Sequence, residues 1–299
     1  MKNSIEIHHI SKHYGRVTAL HDLSLHIQSG ELFGLIGPDG AGKTTLFRIL
    51  TTLVLADEGT ASVCGYDVVQ QLHAIRNCVG YMPGKFSLYQ DLTVEENLNF
   101  FATVFQTTVK ENRDLIDDIY RQIEPFRHRL AGKLSGGMKQ KLALCCALVH
   151  RPRVLFLDEP TTGVDPISRA EFWQMLYRLK QQGITILVST PYMDEAERCD
   201  RIALLREGRC LMVDTPANIR SAFQYPLFAV SASAMYPLLK DLRSYPGTHT
   251  CYAYGNAHHL TLHTADDVQQ LTDYLKGKGY HDLQIQSIRP GIEDCFMLL

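Results

Sequence analysis

Gly37-Pro38-Asp39-Gly40-Ala41-Gly42-Lys43-Thr44 fits the phosphate-loop pattern G-x-x-x-x-G-K-[ST]. An apolar run over 32–36 precedes it, and a helix-like stretch over 46–50 follows. The order strand, glycine loop, helix is what phosphate binding needs. Glycines let backbone N–H groups curl around phosphate oxygens, and a helix N-terminus adds partial positive charge. Lys43 is placed to reach the β- and γ-phosphates and Thr44 to ligate Mg²⁺ through its hydroxyl, with Thr45 next to it on the phosphates. The stretch implies a nucleoside-triphosphate site.

A second phosphate signal is Leu134-Ser135-Gly136-Gly137-Met138-Lys139-Gln140, opening another apolar helix. Val154-Leu155-Phe156-Leu157-Asp158-Glu159 then reads as a buried strand ending in two carboxylates. Asp158 stands where a strand-end acid holds Mg²⁺, and Glu159 where a base polarises an attacking water. Each signal alone has a bland reading, as a common serine–glycine turn or an ordinary sheet strand. In this order, after a phosphate loop, they are jointly specific. The chain here resembles the ATP-binding cassette (ABC) family over about residues 3–215. The resemblance implies an α/β P-loop cassette: a RecA-like core, a β-subdomain and a helical subdomain. It also implies that Tyr14 stacks on adenine and that Gly163-Val164-Asp165 meets an opposite protomer. Ser135, Gly136 and Gly137 would then serve the partner's nucleotide in a head-to-tail dimer. A Ser-capped helix N-terminus suits a γ-phosphate.

Two positions depart from the family pattern. After Val79-Gly80-Tyr81-Met82-Pro83 the family carries a glutamine that touches Mg²⁺ and water; this chain has Gly84. After Val188-Ser189-Thr190 it carries a histidine against the γ-phosphate; this chain has Pro191, without a donor. Both flanks, 85–89 and 192–196, keep the family pattern, so a slipped register does not explain the differences. The expectation is a site that binds ATP firmly and hydrolyses it slowly. Its intact 135–137 segment would complete the efficient site of a different, complete cassette. Substitution by Lys85 or the Thr190 hydroxyl is the competing reading.

The 299 residues allow one large domain and a small one, and 45% hydrophobic with 21% charged residues is ordinary globular composition. A net charge of −2 gives no basic footprint for nucleic acid. The eight cysteines contain no C-x-x-C, and Cys145-Cys146 fall in an apolar helix, so the chain reads as reduced and cytosolic. Its apolar runs fall well short of the ~18 residues of a membrane helix. Transport would therefore need a separate transmembrane permease, with this subunit peripheral on the inner face of the cell membrane.

Residues 1–215 read as the cassette, with short strands over 5–36, further strands at 63–69 and 78–81, and a helical subdomain over about 85–150. Within the latter, Thr93-Val94-Glu95-Glu96 is a capping box, and a stripe over 115–123 ends near Pro125. Strands follow at 153–157, 184–189 and 201–205, with a helix over 169–180. A linker with an attached helix begins near Leu211, centred on 216–225. Residues 226–299 alternate as βαββαβ, the split ferredoxin-like order, making a small α+β accessory domain. The histidines there (249, 258, 259, 263) form a poor chelate, because neighbours on a strand point to opposite faces. The leading function is the ATP-binding subunit of an ABC transporter, an exporter by the likeness of its ending. The alternatives are a non-hydrolysing regulatory subunit and a soluble ABC ATPase acting on ribosomes or DNA. The transported substrate is not encoded in these residues.

Overall fold

A computed structural model describes residues 3–299, and the chain divides into two compact units at Thr215/Pro216. The first unit opens with β1 (Asn3–Tyr14), β2 (Val17–Gln28), β3 (Leu32–Ile36) and α1 (Lys43–Leu50). It continues through β4 (Glu58–Val63), β5 (Tyr66–Asp67), α2 (Leu72–Cys78) and β6 (Val79–Met82). Three helices follow, α3 (Val94–Val104), α4 (Arg113–Ile123) and α5 (Gly136–Leu148). The unit closes with β7 (Val154–Asp158), α6 (Pro166–Gln181), β8 (Thr185–Thr190), β9 (Arg201–Arg206) and β10 (Arg209–Asp214).

Two sheets organise it. The central sheet has the order β10-β9-β3-β8-β7-β6, parallel except for the β10–β9 edge pair. Strands β3, β7 and β8 are buried at every residue, as expected of a parallel sheet covered on both faces. The other sheet, β2-β1-β4-β5, is antiparallel. Its long strands alternate, and Ile5, Ile7, Leu23, Leu25 and Ile27 enter one core with Phe33, Phe47 and Phe156. Phe47 and Phe156 meet edge to face at 5.7 Å, so the helix after the glycine loop is pinned to the strand that ends in Asp158.

Helical caps sit where the sequence places them. At α3 the Thr93 hydroxyl accepts from the Glu96 N–H (3.2 Å), and the Glu96 carboxylate accepts from the Thr93 N–H (2.8 Å). That backbone hydrogen bond, with the Thr93 hydroxyl, holds the Glu96 carboxyl below its ordinary range. One turn further on, buried Asn97 accepts from the Tyr89 N–H (3.0 Å) and donates to the Tyr89, Leu92 and Thr93 carbonyls (3.0, 3.2 and 2.9 Å). One amide thus ties the 85–93 loop to α3. Asn97→Ala would leave those groups short of partners and should cost about 2–3 kcal/mol, read as a lower urea midpoint at unchanged slope.

The second unit comprises α7 (Pro216–Ser221), β11 (Leu227–Ser231), α8 (Met235–Ser244), β12 (Thr248–Tyr254), β13 (Ala257–Leu262), α9 (Asp267–Gly277), β14 (Gln284–Ser287) and α10 (Ile292–Leu298). Its sheet runs β12-β13-β11-β14 with every pairing antiparallel, the strand order of the split ferredoxin-like motif. Leu238, Leu242, Leu271 and Leu275 bring the two long helices onto one face of that sheet. His258 and His259 are both buried but bonded apart: His258 Nε2 to the Met235 carbonyl (2.8 Å), His259 Nδ1 to Asp294 (2.6 Å).

Several expectations need correction. The strands over 5–36 include two of 12 residues each rather than short pieces. Residues 72–77, not assigned from the sequence, and Cys78, expected to begin a strand, are helical; this seven-residue helix has a single buried residue, Ile75, and so too weak a periodic signal. Residues 211–214 are strand rather than linker, because β10 returns antiparallel on β9 across the Glu207-Gly208 turn. Residues 216–221 are the helix expected beside the linker, whereas 292–298, not assigned from the sequence, are helical as well.

Candidate functional site

The crevice lies at the C-terminal ends of the parallel strands, where β3 and β7 flank β8. The glycine loop leaves β3 there. Its start is fixed by the Gly37 N–H on the Thr190 carbonyl (3.4 Å), and it turns through the Ala41 N–H on the Pro38 carbonyl (3.2 Å). Gly42 takes φ +99°, and a Cβ on it would lie 2.4 Å from the Ala19 carbonyl oxygen, so only glycine fits. Gly42 is also the N-cap of α1 and supplies no capping side chain. The first-turn N–H groups at Lys43, Thr44 and Thr45 are therefore left for an anion. Pro38, Asp39 and Gly40 form the exposed rim, with Thr44 and Thr45 half-buried behind them.

Lys43 is 3% exposed. Its ammonium donates to the Gly37 carbonyl (2.7 Å) and the Pro38 carbonyl (3.0 Å), and lies 3.3 Å from Glu159 Oε1. A buried cation satisfied mainly by loop carbonyls is a charge awaiting a stronger acceptor. Across the crevice Asp158 is buried and accepts from the Ser189 hydroxyl (2.7 Å), while no side-chain cation pairs with it among the described residues. That hydroxyl also accepts from the Glu159 N–H (3.0 Å). Glu159 has φ +49°, a left-handed conformation that costs a non-glycine residue roughly 1 kcal/mol and turns its side chain out of the strand. On the neighbouring strand Tyr81 has its phenol pushed up to about 12, by burial first and by the Asp158 charge second.

The loop at 37–44, Asp158 and Glu159 are thus brought together. Ser135, Gly136 and Gly137 are not joined to that loop by any hydrogen bond among the described residues. Ser135 caps α5 by accepting from the Met138 N–H (3.4 Å), and a Cβ on Gly137 would lie 2.8 Å from Ser168 Oγ. Close packing of α5 on the start of α6 follows, leaving the 135–137 segment beside Gly163. Asp165 caps α6 by accepting from the Ser168 N–H (3.0 Å), which fixes the 163–165 turn. Tyr14 ends β1 with 45% of its surface exposed, and Lys12 lies 5.6 Å from its ring.

The family resemblance places a groove for a permease helix after Gly84, at Phe86, Leu88 and Tyr89, and a groove of about 670 Å³ lies there between the parallel sheet and the helical subdomain. Met82, Gly84, Phe86, Leu88, Phe101, Phe105, His150 and Glu159 are among the residues that line it. His150 stacks on Phe105 at 3.7 Å and bonds the Val79 carbonyl (3.0 Å); burial holds its pKa below the ordinary value. Its residues come from five separate stretches of chain, so no local pattern in the residues themselves announces it.

Gly84 and Pro191 sit at this site. A Cβ on Gly84 would lie 3.1 Å from the Asp158 carbonyl oxygen and 3.8 Å from the Glu159 Cβ. Thr190, beside Pro191, donates its hydroxyl to Glu195 (2.7 Å) and accepts from the Tyr192 N–H (3.0 Å).

Comparison with known proteins agrees with this geometry. The family model described as ABC transporter matches residues 20–162. A probable multidrug ABC transporter ATP-binding protein of Escherichia coli, YbhF, is 40% identical over 93% of this chain; the chain spans about half (48%) of that relative's length. A Nod factor export ATP-binding protein I of Burkholderia thailandensis is 41% identical, over 72% of each chain. Among solved structures, an ATP-binding subunit of an ABC transporter superposes with a TM-score of 0.66 at 30% identity, covering 73% of this chain and 92% of its own. A bacterial ABC transporter cassette solved as a dimer gives 0.64 at 26% identity, covering 71% and 98%. The chain belongs to the ABC transporter family, among its ATP-binding subunits.

Proposed function

We propose that this subunit binds ATP on the 37–44 loop, pairs head to tail with a second cassette, and drives a separate transmembrane permease. The convergence of buried Lys43 and Asp158 with half-buried Glu159 at the open end of the parallel sheet carries that reading. Lys43 would leave its carbonyl partners for the β- and γ-phosphates, with the 43–45 N–H groups around the same oxygens. The donor set fits Mg²⁺: a half-buried threonine hydroxyl, Thr44, and the buried carboxylate Asp158, both hard oxygen ligands. Mg²⁺ there supplies charge neutralisation on the phosphate oxygens. Glu159, released from Lys43, would accept a proton from the attacking water. Tyr14 would stack its exposed ring on adenine.

The same reading makes this protomer's own site slow. Gly84 abuts Asp158 and Glu159 yet has no side chain to order the water, and Pro191 has no donor for the γ-phosphate. Thr190 does not stand in, since its proton is committed to Glu195, and Lys85 is exposed. The partner that this favours is a different cassette, complete at both positions, whose nucleotide Ser135, Gly136 and Gly137 would contact. The names of the relatives, for multidrug and Nod factor export, favour export as the direction. No helix among the described residues is long and apolar enough to cross a membrane, in keeping with a cytoplasmic subunit held on a permease.

The groove between sheet and helical subdomain is the docking place in this reading. Phe86 lines it with Lys139 5.4 Å from its ring, and Leu88 closes it. Tyr89 instead packs edge to face on Phe100 at 4.8 Å and is half exposed. An amphipathic helix of the permease would lay its apolar face there. Single-cysteine variants at Phe86 and Ser87, in a background without native exposed cysteines, should crosslink to a co-expressed permease, and one at Tyr89 less so. Absence of crosslinks in an assembled, nucleotide-responsive complex would assign these side chains to packing alone.

A further inference from the structure

Residues 121–133 carry Arg121, Arg127, Arg129 and Lys133 against a single acid, Glu124, in a chain of net charge −2. Arg121 pairs with Asp117 (2.7 Å), and Glu124 pairs with Arg113 (2.9 Å). Among the described residues no carboxylate pairs with Arg127, Arg129 or Lys133, and all three are exposed. Arg129 and Lys133 line a concavity of about 400 Å³ with Pro125, Phe126, His128 and Leu130. No acid lines it.

Backbone hydrogen bonds hold the wall of this concavity to the segment that leads into α3. Leu130 bridges antiparallel to Thr93. The Val94 and Glu95 N–H groups donate to the Arg129 and Arg127 carbonyls (3.1 and 3.0 Å). The Ala131 and Gly132 N–H groups donate to the Leu92 and Gln90 carbonyls (2.8 and 2.9 Å). The Arg129 N–H closes a turn on the Phe126 carbonyl (2.8 Å), and its guanidinium lies over the Phe126 ring, 4.6 Å from the centroid. Arg127 stands alongside, donating its Nε–H to His128 Nε2 (3.0 Å), while His128 Nδ1 lies 3.7 Å from Glu95. The cations are thus carried on a fixed frame, and like charges gathered there repel one another.

We propose that this concavity binds the phosphate group of an organic phosphate monoester, either a free small molecule or a lipid headgroup. Near neutral pH a phosphate monoester carries nearly two negative charges and three strong acceptor oxygens. Two fixed cations line the site to meet them. Arg129 offers a planar fork for two oxygens, held from one face by the Phe126 ring, and Lys133 adds a point charge. The volume lies within the range of small-molecule sites and exceeds that of a phosphate alone. Pro125, Phe126 and Leu130 give the rest of such a ligand an apolar floor. A single carboxylate would neutralise only one of the two cations. A nucleic-acid strand needs a longer basic track, and the net charge of the chain opposes it. The site shares no residue with the 37–44 loop, so it stands or falls apart from the nucleotide site.

The test uses the purified full chain with Lys43→Ala, which silences the phosphate loop, beside the unmutated chain saturated with Mg-ATP. One arm titrates glycerol 3-phosphate by calorimetry, with glycerol as the control. The other floats the protein on phosphatidylcholine vesicles with and without phosphatidate. Binding of glycerol 3-phosphate alone assigns a free phosphate ester, and flotation on phosphatidate alone assigns a lipid headgroup; both together support the shared chemistry. Arg129→Gln with Lys133→Gln should weaken whichever binding is seen by about tenfold or more. Arg129→Lys, which keeps the charge and loses the fork, should weaken it about threefold. Arg121→Gln, at a cation already paired with Asp117, should change it by less than about twofold. These side chains are exposed, and a thermal melt of each variant checks its fold. Binding in neither arm would overturn the site. An equal loss from Arg121→Gln and from the Arg129 and Lys133 changes would overturn it too, since it would show diffuse surface charge rather than a built pocket.

Discussion

Lys43→Ala should weaken ATP binding by about 10²–10³-fold, the largest binding effect of any single side chain in this protein. The ammonium is buried and, among the described residues, within reach of three acceptors, the Gly37 and Pro38 carbonyls and Glu159. Two of those are neutral, so a triphosphate offers a far stronger partner. Each charge-assisted hydrogen bond it gains is worth roughly 1.5–3 kcal/mol. Removing one or two of them gives the stated range, since 1.4 kcal/mol is about tenfold. The fold should survive, because the packing that fixes α1 comes from Leu46, Phe47, Ile49 and Leu50 rather than from Lys43. Calorimetry on the variant, with a thermal melt as a control, separates the two effects. Unchanged affinity in a folded variant would remove the basis for placing the nucleotide on this loop.

Much of this site is legible in the chain because its chemistry is local. Gly37 to Thr44 specify their own backbone, and a glycine at 42 is demanded by the left-handed φ and the Ala19 carbonyl 2.4 Å from its missing Cβ. Asp158 ends a run buried at every residue, and such a run reads as a parallel strand without further information. Helix α3 announces itself through Thr93 and Glu96, whose capping box needs only four residues. What escapes the sequence depends on distant partners. The strand over 209–214 exists because β9 is there to pair with it, and its own residues are only half-buried. The Ser189 hydroxyl, which holds both Asp158 and the Glu159 N–H, looks like any strand serine until β8 is set beside β7. Likewise Thr190 reads as a spare hydroxyl until Glu195 folds back to take its proton. The groove is assembled from segments far apart in sequence, and periodicity reports only that their apolar faces are buried somewhere.

In the assembled transporter, Ser135→Arg in this chain should cut total ATP turnover by about 100-fold or more, while Glu159→Gln should change it by less than about threefold. The ranking follows from which site each residue serves. Glu159 belongs to this chain's own crevice, where Gly84 has no side chain, a Cβ on it falling 3.1 Å from the Asp158 carbonyl oxygen, and Pro191 brings no proton. Losing one preorganised polar group around a transferring phosphoryl costs about 10²–10³ in rate. Two such losses act on one transition state and need not multiply. Disabling a base in a site already slowed that far changes little of the sum. The Ser135 hydroxyl, at the N-terminus of α5, accepts from the Met138 N–H, and no hydrogen bond among the described residues joins it to its own phosphate loop. An arginine there would intrude on the γ-phosphate held by the complete partner cassette and block closure around it. Nucleotide on the 37–44 loop would meanwhile persist through many turnovers, because Lys43, the α1 N-terminus and Asp158 are intact. Single-turnover measurements with labelled ATP should therefore find one slow and one fast fraction per dimer. The reverse ranking of the two variants would make this chain's own crevice the working one. A homodimer of this chain hydrolysing ATP as fast as a complete cassette assayed beside it would remove the asymmetry altogether.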